Sequence, residues 1–146
     1  MPLVWYVSHS VPVPARPPRT VIAASVCVAA YGVAILLGGL TATQPGSRMP
    51  SPILRMEAIL ALAGWVLAFA LWHRTRWAWF AAVPYAAWFT TAGLLTIANY
   101  ASSEDVRHAL APLGAAFFGL GVISVGAALV LLLLPATRAE FRGPAV

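Results

Sequence analysis

The sequence predicts an all-α integral membrane protein, an antiparallel bundle of four transmembrane helices with short loops and an extended, Pro-rich N-terminal arm. Of its 146 residues, 61% are hydrophobic and only 9% are charged, which is far from the usual balance of a soluble domain. A helix needs about 20 mostly apolar residues to cross a hydrocarbon core of about 30 Å. Four stretches reach this length, at about residues 21–40, 53–72, 77–98 and 110–134.

These spans divide the chain into three parts. Residues 1–20 form the arm, whose five Pro forbid a regular helix while residues 3–7 are too apolar for a free linker. We expect this arm to lie against the membrane interface, the bundle or another subunit. Residues 21–134 form the transmembrane domain, and residues 135–146 are predicted to be a short cytoplasmic tail.

The segments between the spans contain residues that end helices. The first segment, "TQPGSRMPSP", holds three Pro and a Gly. The second, "HRTR", has four residues, enough for a tight helical hairpin. In the third, "YASSEDVRHALAP", we expect Ser102 to cap a short surface helix and Pro112 either to kink it or to begin the fourth span.

Basic residues flank the spans in ones and twos, and they favour one side of the membrane. Six lie in the arm, the "HRTR" turn and the tail: Arg16, Arg19, Arg74, Arg76, Arg138 and Arg142. Three lie on the other side: Arg48, Arg55 and Arg107. Because cytoplasmic segments carry the excess of positive charge, both termini and the turn are predicted to be cytoplasmic.

Aromatic residues surround the "HRTR" turn on both sides. Trp72, Trp77 and Trp79 each combine an apolar ring with an N–H group that suits the headgroup region. Together with Arg74 and Arg76, they are predicted to anchor the hairpin at the membrane interface.

Small residues recur at helical spacing in every span, which favours close packing of helices in lipid. The predicted contact stripes are Ala23, Cys27, Ala30, Ala34 and Gly38 in the first span, Ala61, Gly64 and Ala68 in the second, Ala78, Ala82, Ala86, Thr90 and Gly93 in the third, and Ala111, Ala115, Gly119 and Gly126 in the fourth.

Ionisable groups are missing from the deep parts of the spans, and Glu57 is the carboxylate nearest to them. It lies about one turn inside the outer interface, and we expect it to form an ion pair with Arg55 or a bond to a neighbouring loop. The alternative is a carboxylate that binds a substrate or proton. Asn99 and Tyr100 are predicted to contribute to a small polar site on the same side.

The residue inventory excludes several kinds of chemistry. The single cysteine, Cys27, gives no disulfide framework and no CxxC pair. His9, His73 and His108 lie outside the spans or at their edges, which disfavours haem and metal ligation. The scattered Arg residues do not form a nucleic-acid patch. The sequence therefore predicts no catalytic residue, no metal and no cofactor, and the chain is not expected to be an enzyme or to bind nucleic acid.

The length, the four spans and stretches such as "WHRTRWAWF" and "LLLLPATRAEF" resemble small four-span membrane proteins of GC-rich bacteria. The resemblance is one of pattern over the whole chain and implies no activity. It implies a multi-pass protein of the bacterial cytoplasmic (inner) membrane.

Two functions fit these observations. The first is a non-catalytic accessory or scaffold subunit that packs, within the lipid bilayer, against partner subunits of a larger membrane protein complex. The alternative is a small homo-oligomeric channel or transporter whose pathway forms between protomers, with Glu57 or the Thr and Asn side of the third span lining it.

The predicted topology is tested by site-directed accessibility. In a Cys27→Ala background, a thiol placed at Thr75 and a reporter fused after Val146 should both report the cytoplasm, and a thiol at Ser47 should report the outside. The reason is the six-to-three distribution of Arg between the two sides. Labelling of Ser47 and Thr75 from the same side would contradict the four-span arrangement.

Overall fold

The computed structural model describes residues 17–42, 51–102 and 112–142, and within these ranges the chain is helical apart from short turns. The helices are α1 (Arg19–Ala42), α2 (Ser51–Trp72), α3 (Arg76–Ser102), α4 (Pro112–Leu133) and α5 (Pro135–Arg142). The first four are each long and apolar enough to cross a membrane. For the described residues, the prediction of an all-α fold with four membrane-length apolar helices is therefore confirmed. The N-terminal arm falls almost entirely outside the described residues.

The helix bounds differ from the predicted spans in ways that follow from local sequence. α3 continues past residue 98 to Ser102, since no Gly or Pro interrupts this stretch. The hydroxyl of Ser102 donates a hydrogen bond to the carbonyl of Ala98 at 3.0 Å, and the helix that Ser102 was predicted to cap lies outside the described residues. Pro112 begins α4, where its missing N–H costs nothing. The short helix predicted before it lies outside the described residues.

The predicted tail contains a helix that the sequence analysis did not identify. The helical conformation is interrupted at Leu134, and α5 begins at Pro135. Like Pro112 in α4, Pro135 occupies the first position of its helix. On α5, Thr137 and Phe141 are buried, with Phe141 only 4% exposed, whereas Ala139 and Glu140 are exposed. α5 therefore packs as an amphipathic helix, and Phe141 joins the core cluster that contains Val21, Leu71 and Leu132.

α1 lies at the centre of the described helices. It packs most extensively against α4 and α2, whereas α3 packs mainly against α4, and α2 and α3 make few contacts with each other. A methyl group built on Gly121 would lie 3.3 Å from the Cβ of Ala34, and one on Gly38 would lie 4.0 Å from the Cβ of Phe117. Rising residue numbers on α1 thus meet falling numbers on α4, so these two helices run in opposite directions.

The small residues predicted to pack are buried in two of the four helices. In α3, Ala78, Ala82, Ala86 and Gly93 are buried and Thr90 is half-buried, and in α2, Ala61, Gly64 and Ala68 are buried. In α1 and α4, the buried residues are mostly not the predicted ones. The buried residues of α1 are Val21, Ala24, Ser25, Val28, Tyr31, Gly32, Ala34 and Gly39. Those of α4 are Gly114, Gly121, Val122, Val125, Ala128 and Leu132. Several stripes of small residues exist on Ala- and Gly-rich helices, and tertiary packing selects among them.

The "HRTR" segment forms the tight hairpin that was predicted. Arg74 has φ 53°, and its N–H donates to the carbonyl of Leu71 at 2.9 Å, while the N–H of Thr75 donates to the carbonyl of Ala70 at 3.1 Å. This pair of bonds is the Schellman motif, in which the left-handed position is usually Gly. Here it is Arg74, whose guanidinium forms a 3.0 Å ion pair with Glu140 on α5. The turn and α5 are thereby joined.

The closest approach of α3 to α4 provides a test of the packing. A Cβ added to Gly93 would overlap the side chain of Val122, a β-branched residue that has little freedom to move. We expect Gly93→Ala to lower the free energy of unfolding by about 1 to 3 kcal/mol, measured by thermal unfolding in detergent micelles.

Gly119→Ala is the matched control for that change, because nothing lies within 4 Å of its added Cβ. It should be neutral or stabilise the protein by up to about 1 kcal/mol through helix propensity. Combining Val122→Ala with Gly93→Ala should restore part of the melting temperature that Gly93→Ala loses. Equal melting temperatures for Gly93→Ala and Gly119→Ala would show that α3 and α4 are not this close.

Candidate binding cavity

A cavity of about 260 Å³ lies among α1, α2, α3 and α4, towards the end of the molecule where α2 and α4 begin. Most of its lining is apolar, and four of the lining residues are glycines: Gly38, Gly39, Gly93 and Gly114. Its polar and aromatic lining residues are Tyr31, Glu57, Phe89, Thr96 and Phe118. The cavity is therefore an apolar space with one carboxylate and several aromatic rings at its wall.

Glu57, in the second turn of α2, supplies this carboxylate. Its side chain is half-buried, and its Oε2 atom is buried without a hydrogen-bond partner among the described residues. Arg55 is exposed, and within the described ranges no ion pair joins it to Glu57. The separation has a simple cause, because residues two apart on a helix do not face each other. Glu57 faces the cavity, and Arg55 lies on another side of α2.

The structure places the other two predicted polar residues differently. Asn99 is exposed on α3, away from the cavity lining. Tyr100 is half-buried and lines a second cavity of about 240 Å³ between α3 and α4. Thr96 and Phe118 line both cavities, so Tyr100 lies close to the Glu57 cavity without bordering it. The hydroxyl of Thr96 donates to the carbonyl of Ala92 at 3.0 Å within α3.

An aromatic cluster formed by Tyr31, Tyr85 and Phe89 borders the cavity, and the sequence analysis missed it. The ring centroids lie 5.4 Å apart between Tyr31 and Phe89, and 4.7 Å apart between Tyr85 and Phe89. The Tyr85 hydroxyl donates to the carbonyl of Leu60 at 3.0 Å, a contact between α3 and α2. The sequence does contain a signal for this cluster, because two Tyr residues lie inside apolar spans, where each hydroxyl group needs a hydrogen-bond partner.

The predicted interfacial anchors lie at the opposite end of the molecule. Trp72 and Trp77 are exposed, whereas Trp79 is half-buried and its indole N–H donates to the carbonyl of Leu132 at 3.0 Å. Arg76 is exposed, and Arg74 pairs with Glu140. Trp79 therefore also joins α3 to α4, in addition to the anchoring role that the sequence predicts for it.

Glu57 is the one carboxylate among the described residues that line the cavity. In the described part of the chain, no group of three or more His, Cys, Asp or Glu residues is placed to hold a metal ion.

Compared with protein-family models, with curated proteins and with solved structures, the chain has no significant match.

Proposed function

We propose that this chain is a non-catalytic accessory or scaffold subunit of a larger membrane protein complex in the bacterial inner membrane. In this proposal α1 to α4 form an antiparallel bundle in the lipid bilayer, and both termini are cytoplasmic. The distribution of charge supports this orientation. Arg19, Arg74, Arg76 and Arg138 lie at the end where α1 and α3 begin and α2 and α4 end, and Arg55 lies near the other end.

The exposed face of α2 is the observation that carries the proposal. α2 packs mainly against α1, so most of its surface has no protein neighbour among the described residues. Its exposed large apolar side chains are Met56, Ile59, Leu62, Trp65, Val66, Phe69 and Trp72. Because helices in lipid associate through van der Waals contact, a face of this length suits a helix of a partner subunit.

Site-specific photo-crosslinking in native membranes tests the partner. A benzophenone side chain at Leu62, which is 58% exposed on α2, should give a discrete adduct that contains a second, different protein. The same probe at Ile123, which is 70% exposed on α4, is the matched control and should label lipid only. If neither site gives a discrete protein adduct, or if both sites give one equally, α2 has no dedicated partner face. An adduct of two identical chains would favour the alternative function below.

The second candidate is a small homo-oligomeric transporter or channel, and the cavity favours it specifically. A carboxylate that lines a cavity between transmembrane helices is a usual coupling or binding group of such proteins, because ionisable groups within transmembrane segments are rare and mark substrate or ion pathways. Glu57 supports this candidate, since its side chain lines the cavity and its buried Oε2 has no hydrogen-bond partner among the described residues.

Uptake into proteoliposomes under an imposed membrane potential tests this candidate. If the protein transports cations, radiolabelled benzyltrimethylammonium should accumulate with wild-type protein and not with Glu57→Gln, which removes the charge and keeps the shape. Glu140→Gln is the control, because that carboxylate pairs with Arg74 at the opposite end of the molecule. Equal uptake by wild type and Glu57→Gln would exclude Glu57 from any pathway. Absence of uptake in both, with melting temperatures preserved, would leave the accessory role as the better proposal.

A further inference from the structure

We propose that the cavity beside Glu57 is a binding site for a compact organic cation, a tertiary or quaternary ammonium with apolar substituents. The site lies within one chain and requires neither a partner subunit nor transport. It therefore goes beyond the accessory role proposed above.

The charge of the ligand follows from Glu57. The Glu57 side chain lines the cavity, and its Oε2 atom is buried and accepts no hydrogen bond among the described residues. Burying an ionised carboxylate without a partner is expensive, and a cation in the cavity would supply the missing counter-charge. The nearest basic residue along α2, Arg55, is exposed and does not pair with Glu57. The other described Arg residues lie at the far end of the helices.

The organic character of the ligand follows from the rings that border the cavity. Tyr31, Phe89 and Phe118 all line it, and Tyr85 packs behind Phe89 at 4.7 Å between ring centroids. Aromatic rings attract cations electrostatically, and rings combined with a carboxylate are the usual means of recognising quaternary ammonium groups. The hydrogen bond from Tyr85 to Leu60 holds this part of α3 against α2 and so fixes the rings in place.

The lining also argues against a hydrated metal ion. Ca²⁺ and Mg²⁺ require six or more oxygen ligands, or several retained waters. Besides Glu57, the side-chain oxygens among the described lining residues are the hydroxyls of Tyr31 and Thr96, which are too few for such a site. An ammonium with apolar substituents needs a counter-charge and apolar contact, and the cavity offers both.

The size of the ligand follows from the volume of the cavity. Pockets for drug-sized molecules occupy about 300 to 1,000 Å³, and this cavity measures about 260 Å³. The small residues around the cavity, including Gly38, Gly93 and Ala92, leave this space open. A cation with one small ring, such as benzyltrimethylammonium, is therefore a suitable probe.

The test is equilibrium binding of benzyltrimethylammonium to the purified full chain in detergent micelles, with neopentylbenzene as the uncharged molecule of the same shape. We expect saturable binding of the cation, at least about tenfold tighter than binding of the neutral molecule. Glu57→Gln should weaken cation binding at least about tenfold and leave binding of neopentylbenzene unchanged. Glu140→Gln, which changes a carboxylate outside the cavity, should bind as the wild type does.

A second pair of variants tests the location of the site. Ala92→Leu places three more carbons at the cavity wall and should abolish binding, whereas Ala98→Leu adds the same atoms at an exposed position of α3 and should not. Melting temperatures identify any variant that fails to fold. Equal affinity for the two probes, unchanged affinity in Glu57→Gln, or no binding by folded wild-type protein would each overturn the proposal. This binding measurement does not depend on finding a partner subunit or on detecting transport, so it can fail or succeed independently of the functions proposed above.

Discussion

The close approach of α1 to both α2 and α4 is the constraint on which the remaining structure depends. A Cβ on Gly32 would lie 2.7 Å from Nε1 of Trp65 and 3.1 Å from the carbonyl oxygen of Ala61, so α1 and α2 meet almost backbone to backbone. On another side of α1, Gly121 of α4 packs against the side chains of Ala34 and Tyr31, and a Cβ added to it would lie 3.3 Å from the Cβ of Ala34. In lipid, apolar side chains gain little by leaving their surroundings, so contact of this kind is what holds helices together. α1 therefore occupies the centre, and α3 attaches chiefly through α4.

This arrangement explains where the cavity lies. α2 and α3 are consecutive and joined by a tight turn, yet they contact each other little because each packs mainly on a different helix. The turn around Arg74 holds them together at one end. Farther from the turn, the hydrogen bond from Tyr85 to Leu60 still joins them. Beyond that bond, Glu57 on α2 and Gly93 and Thr96 on α3 border open space.

The sequence predicts the spans well because the property that defines them, a long apolar stretch, is local. It does not predict α5, because Pro135 ends one helix and equally begins the next, and only tertiary contact shows that Phe141 is buried. For the site, Glu57 is identifiable as the carboxylate nearest to an apolar span. Its surroundings are not, because they depend on which helices meet. The aromatic cluster of Tyr31, Tyr85 and Phe89 combines residues from α1 and α3, which are not consecutive.

The two properties that suggest function, the cavity and the exposed face of α2, have one structural origin. Because α2 packs mainly against α1, its other sides are largely free of contact with the described helices. One of these sides borders the cavity through Glu57 and Leu60. Other sides present large apolar residues such as Leu62 and Phe69. A cation in the cavity would reach Glu57 without covering Leu62, and a helix packed on Leu62 would leave Glu57 accessible from within the chain. The proposed ligand binding and the proposed subunit association would therefore use different sides of the same helix, so the two proposals are compatible.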